Sequence, residues 1–309
     1  MSALSLPFPL PSLLRLPSLV RLPGAPPGAH APGALLRAAA LELSVLVAHL
    51  ALYPTGWADG RPADGEETAG SSPPASRLPL APLPPVVLLH GFADNRSVFV
   101  LLRRALLRDA DGTARRRTVV SLNYSPLTCD IRAAAELLGR HVEEVRRRTG
   151  ADRVDVVGHS LGGLIARYHV QRLGGDAVVR TLVTLGTPHS GTRVARPADV
   201  HPIVRQMRPG SPVIEELGRP APGCRTRFVA VRSDLDQIMV PTSTARLDHP
   251  DLRVENVLVT GIGHLALPVH PTVTSLVREA LSGPAAGQGS NTRAYEAPGA
   301  PETTAGTVA

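Results

Sequence analysis

The stretch Val154-Asp155-Val156-Val157-Gly158-His159-Ser160-Leu161-Gly162-Gly163 constrains this chain more than any other. An apolar run leads into a glycine-flanked serine, and a helical pattern follows at once. G-x-S-x-G between a strand and a helix is the context that a nucleophile elbow requires. Such a turn is tight enough that its flanking residues must be small, as Gly158 and Gly162 are. It lifts the Ser160 hydroxyl above the sheet, with the next helix N-terminus beneath it. The bland alternative is a glycine-rich strand-to-helix turn with a capping serine. The residues elsewhere in the chain weigh against it.

From Pro84 onward, strand-like and helix-like runs alternate. The strand-like runs are Pro85–His90, Thr118–Tyr124, Val154–His159, Val179–Leu185, Arg227–Arg232 and Val254–Thr260. The helix-like runs are Asn95–Arg108, Asp130–Arg148, Ser160–Leu173 and Pro271–Leu281. Buried apolar strands alternating with amphipathic helices predict an α/β domain with a mostly parallel sheet and helices on both faces. It occupies residues 84–283. Aromatic residues make up only 3% of the chain, so its core must be built from Leu, Val and Ala.

The remaining segments differ in composition. Residues 1–33 carry spaced prolines and read as a disordered Pro-rich N-terminus. Residues 34–53 form an apolar run about as long as a bilayer crossing needs. Arg37, Glu42 and His49 interrupt it. Arginines before it and acids after it suit a signal anchor, which would place the protein at a membrane or outside the cell. A helix packed on the catalytic domain, or lying on a membrane surface, fits the same residues, and a cytoplasmic protein is not excluded. Residues 54–83 read as a linker, and residues 284–309 as a disordered tail.

The 33 basic residues are all Arg, scattered and without interleaved aromatics, which argues against a nucleic-acid partner. Cys129 and Cys224 form no C-x-x-C pair, so a thiolate zinc site is excluded. The two could bridge in an oxidising compartment or stand as separate thiols; their spacing decides neither.

A serine hydroxyl is a weak nucleophile at neutral pH. It needs a base, and the base needs an orienting acid. His264 follows the strand-like run 254–260 in the turn Gly261-Ile262-Gly263-His264, where an open α/β sheet places functional groups. The acid should leave the preceding strand, which ends at Ser233-Asp234-Leu235-Asp236. Both aspartates are candidates, and Asp236 is preferred because an apolar turn follows it. Backbone N–H groups of Leu161 and Phe92 are the candidate oxyanion donors. His90 reads as a structural ring that braces its loop.

Together these residues resemble the α/β-hydrolase superfamily, and more narrowly the bacterial triacylglycerol lipases and esterases. The matching pieces are V-V-L-L-H-G-F at 86–92, G-H-S-L-G-G at 158–163, G-T-P-H-S-G-T at 186–192, S-D-L-D-Q-I-M-V-P at 233–241 and G-I-G-H at 261–264. The resemblance implies an α/β-hydrolase fold with Ser160 as nucleophile, Asp236 as acid, His264 as base, and Phe92 and Leu161 as oxyanion donors. It implies ester or lipid substrates, an acyl-enzyme intermediate and no cofactor or metal. The stretch Thr187–Gly223 reads as a small cap, with helical pieces at Pro202–Met207 and Pro212–Leu217, each opened by proline. An acyltransferase or thioesterase on the same triad is the alternative enzyme. A hydrolase-like binding protein is the alternative without catalysis, and the triad residues present in the chain argue against it. Oligomeric state is left open.

Overall fold

The computed structural model describes residues 40, 42–45, 47, 83–92, 94–108, 117–124, 130–195, 201–283 and the backbone of 291–295. Residues 1–39 and 54–82, with the readings made for them above, lie outside the described residues, as does most of 34–53. Seven parallel strands form one sheet in the order β2-β1-β3-β4-β5-β6-β7. They are β1 (Val86–Leu89), β2 (Val119–Leu122), β3 (Val154–His159), β4 (Val179–Leu185), β5 (Arg227–Ser233), β6 (Arg253–Val259) and β7 (Asn291–Tyr295). β1 pairs with both β2 and β3, so the strand order reverses next to the strand that carries the elbow. Open α/β sheets hold their functional groups at the carboxyl edge beside such a reversal.

The helices are α1 (Val100–Leu106), α2 (Ile131–Thr149), α3 (Leu161–Arg172), α4 (Pro202–Gln206), α5 (Pro212–Gly218) and α6 (Pro271–Ser282). Alternation along the strands sends side chains to opposite faces. On one face Val87, Leu89, Val156 and Phe228 meet α2 and α3 through Leu138, Leu164 and Ile165. On the other, Val86, Leu88, Val157 and Val229 meet Phe99, Leu102, Val273 and Val277. Val86 to Leu89 are wholly buried, as a strand covered on both sides must be.

One helical run differs from the sequence reading, and another starts where the sequence marks it. The run 95–108 is divided into a 3-10 turn, Arg96–Phe99, and α1. Asn95 begins the turn by accepting the Ser97 N–H on its side chain at 2.9 Å. The tight turn places Val98 and Phe99 in the core before the α-helix begins. In α2 the Asp130 side chain caps the Ala133 N–H at 2.7 Å, a sequence-readable start.

The tail 284–309 is also corrected in part. Asn291–Tyr295 pairs in parallel with Glu255–Val259 of β6 as a seventh strand. Without it the N–H and C=O groups along that side of β6 would form an open sheet edge, which favours strand addition. The rest of the tail lies outside the described residues.

The closed end of the sheet is held by charge. Asp155 in β3 accepts Arg180 at both oxygens, at 2.9 and 2.7 Å, and Arg117 at 3.4 Å. Both arginines also donate to the Leu281 carbonyl at the end of α6. This ties β3, β4 and the segment entering β2 to a covering helix, far from the edge where Ser160 emerges.

Candidate active site

Ser160 follows β3 and caps α3 with φ 52° and ψ −120°, the one non-glycine residue with positive φ among those described. Such a conformation costs about 1–3 kcal/mol and persists only where its surroundings enforce it. Three features enforce it here. Gly158 lies against the Gly162–Gly163 backbone, and a Cβ on it would sit 2.6 Å from Gly163 Cα. A Cβ on Gly162 would lie 2.5 Å from the Leu89 and His90 carbonyl oxygens at the end of β1. The Thr187 hydroxyl donates to the Ser160 carbonyl at 3.0 Å.

The loop after β1 lies directly over the elbow. A Cβ on Gly91 would be 3.2 Å from Ser160 Cβ. His90 bonds the Gly91 carbonyl through Nδ1 at 2.8 Å and stacks on Tyr124, whose hydroxyl donates to the His90 carbonyl at 2.7 Å. His90 therefore braces the loop. Phe92 packs partly on the core and meets the His201 ring edge-on at 5.8 Å. Leu161 is buried at the first turn of α3. Among the described residues, neither the Phe92 nor the Leu161 backbone N–H donates a hydrogen bond. Two backbone donors at a helix start and an adjoining loop suit a developing anion.

Of the two aspartates after β5, Asp236 meets His264. Its Oδ2 accepts the His264 Nδ1–H at 2.7 Å, and its Oδ1 accepts the N–H groups of Ile238 and Met239 at 3.0 Å each. Asp236 is 2% exposed, so its charge is held by these donors and little by water. Asp234 bonds the Gly261 N–H at 2.9 Å and so shapes the turn that delivers His264. His264 and the residue before the serine are also in contact. The His159 and His264 rings lie 4.8 Å apart, and His159 Nε2–H donates to the His264 carbonyl at 3.2 Å.

Sequence reasoning missed three contributors. Asp94 binds His159 Nδ1 at 3.0 Å and so sets the ring that holds His264. It follows H-G-F-A directly, a position that signalled proximity to the loop. Thr187 locks the elbow from the G-T-P-H-S segment. Gly186, with φ 54°, lies where a Cβ would stand 2.9 Å from Asp236 Oδ2 and 3.0 Å from His264 Nδ1. Among the described residues no group of three or more His, Cys, Asp or Glu side chains is arranged to hold a metal. Cys224 is buried, and Cys129 lies outside the described residues, so the bridge is left as an expectation.

The segment Pro202–Gly218 supplies two short helices, α4 and α5, each with proline in its first turn. Arg167 of α3 reaches under it and donates to the Leu217 carbonyl at 2.9 Å and the His189 carbonyl at 3.0 Å. Burial, with Arg172 nearby, pushes the Arg167 guanidinium down to about 9. His189 is buried and held well below the usual histidine range, by burial first and then by Arg167. Burial also lowers His90 and His169.

These shifts set an acid limit on stability. A histidine whose folded pKa is depressed contributes fully above its unfolded value, near 6.5, and loses that contribution as pH falls. His90, His169 and His189 are all buried. Urea unfolding should therefore show level stability between about pH 7 and 8 and a decline from about pH 6.5 toward 5, before most carboxylates titrate. Stability that rises over that interval would contradict the neutral buried state of these rings.

Residues 84–210 match the sequence model of a family described as alpha/beta hydrolase fold. The matched residues include β1 to β4 and the serine between β3 and α3. This chain has the α/β-hydrolase fold. It is 32% identical over 113 residues to a triacylglycerol lipase of Pseudarthrobacter phenanthrenivorans, covering 36% of this chain and 35% of that one. It is also 32% identical over 113 residues to a triacylglycerol lipase of Burkholderia plantarii, covering 36% and 31%. The matched portion thus spans about a third of these curated relatives' length. The mature form of Bacillus licheniformis lipase BlEst2 shares the fold with a TM-score of 0.54 at 16% identity, over 66% of this chain and 94% of that one. The matched portion of the core is thus similar in sequence to two triacylglycerol lipases, and the sheet is similar in fold to a third lipase.

Proposed function

We propose that the protein is a serine carboxylester hydrolase acting on ester or lipid substrates. The observation that carries the reading is the buried Asp236–His264 hydrogen bond, beside an elbow that holds Ser160 at positive φ. In this mechanism the Ser160 hydroxyl oxygen attacks the ester carbonyl carbon while His264 Nε2 takes its proton. Asp236 keeps the proton on Nδ1 and stabilises the imidazolium. The tetrahedral oxyanion lies against the Phe92 and Leu161 N–H groups. Collapse breaks the C–O bond, and His264 returns the proton to the departing alcohol. Water then attacks the acyl-enzyme by the same route, releasing the acid and restoring Ser160.

Activity on 4-nitrophenyl esters of graded acyl length, with Ser160→Ala as control, tests this. Hydrolysis lost in the control is expected; equal rates in both proteins would overturn it. Water as acceptor separates the hydrolase from an acyltransferase: added short alcohols should divert only a minor share of product to new esters.

Gly186→Ala should be severe. The new methyl strains a positive-φ backbone and presses on both partners of the Asp236–His264 bond. A displacement of about 1 Å costs on the order of 100-fold in rate. We expect kcat to fall by about that factor, measured on the same esters. Unchanged kcat would mean that the Asp236–His264 geometry does not set the rate.

A further inference from the structure

The apolar run 34–53 leaves open whether it crosses a bilayer or packs on the domain. Its described residues are helical, and among the described residues no helix is long and apolar enough to cross a membrane. Glu42 makes a specific contact. Its Oε2 accepts the Leu265 N–H at 3.1 Å and its Oε1 accepts the Ala266 N–H at 2.9 Å. Both donors follow His264 directly. On the other side of the histidine, a Cβ on Gly263 would run into the Glu42 carboxylate. Val45, three residues on and so on the same helical face, packs against the core cluster there. Leu43 and Val47 are 62% and 58% exposed, so burial of those side chains is not what seats the helix.

We propose that Glu42 is a positioning residue for His264, and this rests on the serine-hydrolase reading. The turn Gly261-Ile262-Gly263 gives the His264 backbone wide freedom. A catalytic ring must be held within about 0.5 Å. Three contacts remove that freedom: Asp236 on the ring, His159 Nε2–H on the His264 carbonyl, and Glu42 on the two N–H groups that follow. The last is a pair of charge-assisted bonds from one carboxylate, stronger than neutral ones. The N-terminal segment thereby completes the support of the site from outside the α/β core.

The test uses full-length protein with Glu42→Ala, Glu42→Gln and Gly263→Ala, a short-chain 4-nitrophenyl ester, and a fluorophosphonate that reacts at the nucleophilic serine. Glu42→Ala should lower kcat about 10- to 100-fold. KM should stay within about threefold, since transition-state contacts and not ground-state binding are lost. The fluorophosphonate rate should fall in parallel. Glu42→Gln keeps one acceptor oxygen and should recover part of kcat. Gly263→Ala displaces the carboxylate and should reproduce the loss, with the double variant no worse than either single one. Wild-type kcat in Glu42→Ala and Gly263→Ala, with Ser160→Ala inert, would overturn the positioning role and leave the hydrolase reading intact. Loss with no recovery in Glu42→Gln, accompanied by an equal rise in KM, would also overturn it. Activity persisting in Ser160→Ala would instead remove the hydrolase reading.

Discussion

Ser160→Ala and His264→Ala should each lower ester turnover by about 10⁴- to 10⁶-fold, and the double variant should be little slower than either. The two groups act in one step: without the base the hydroxyl is not activated, and without the hydroxyl the base has nothing to activate. Residual activity would come from the Phe92 and Leu161 N–H groups and from substrate binding, neither of which these substitutions remove. Asp236→Asn should retain the fold and lose about 10⁴-fold, because the amide can donate to Nδ1 and favour the wrong ring tautomer. Steady-state kinetics on purified proteins, with folding checked by circular dichroism, measure all three. Losses that add in the double variant would mean that Ser160 and His264 do not work as a unit.

Asp155→Ala should have the largest effect on stability. The carboxylate is buried and shared by Arg117 and Arg180, and the Arg117 side chain that meets it is buried too. Removing one partner of a buried ion pair leaves the other charge without compensation and costs about 3–5 kcal/mol. That is a large share of the 5–15 kcal/mol by which a typical domain is stable. Asp155 lies near the start of β3 and Ser160 just beyond its other end, so the folded fraction should keep its kcat. Urea denaturation checks the first part, and kinetics well below the melting temperature the second. A loss under about 1 kcal/mol would show that the arginines re-pair or reach water.

The sheet was legible because its signals are local. Apolar runs of four to seven residues fixed β1 to β6 within one or two residues, and Pro202 and Pro212 marked both cap helices. The elbow was legible because three glycines and a serine between a strand and a helix leave the backbone few alternatives. The choice between Asp234 and Asp236 rested on a weaker local cue, the apolar turn that follows. In the structure that turn supplies the two N–H groups that hold Asp236 Oδ1.

What was not legible depends on contacts between distant segments. Nothing in Asn-Thr-Arg-Ala-Tyr marks Asn291–Tyr295 as a strand within a Gly- and Ala-rich tail; the exposed side of β6 makes it one. Glu42 read as a charge interrupting an apolar run. Its partners stand 223 and 224 residues away, and no spacing rule reaches that far. Asp94 serves His264 through an intervening histidine, so its role emerges only once His159 and His264 are seen ring to ring.

Trapping the acyl-enzyme shows whether Ser160 carries the acyl group during turnover. Full-length protein is mixed with an activated ester, quenched in acid within one turnover, digested and examined by mass spectrometry. One acyl group per chain is expected, carried by Ser160 in wild-type protein and missing in Ser160→Ala. Stable accumulation is expected in His264→Ala if the ester is reactive enough to acylate without the base. An acyl group on any other residue, or hydrolysis by wild-type protein with Ser160 never modified, would contradict it.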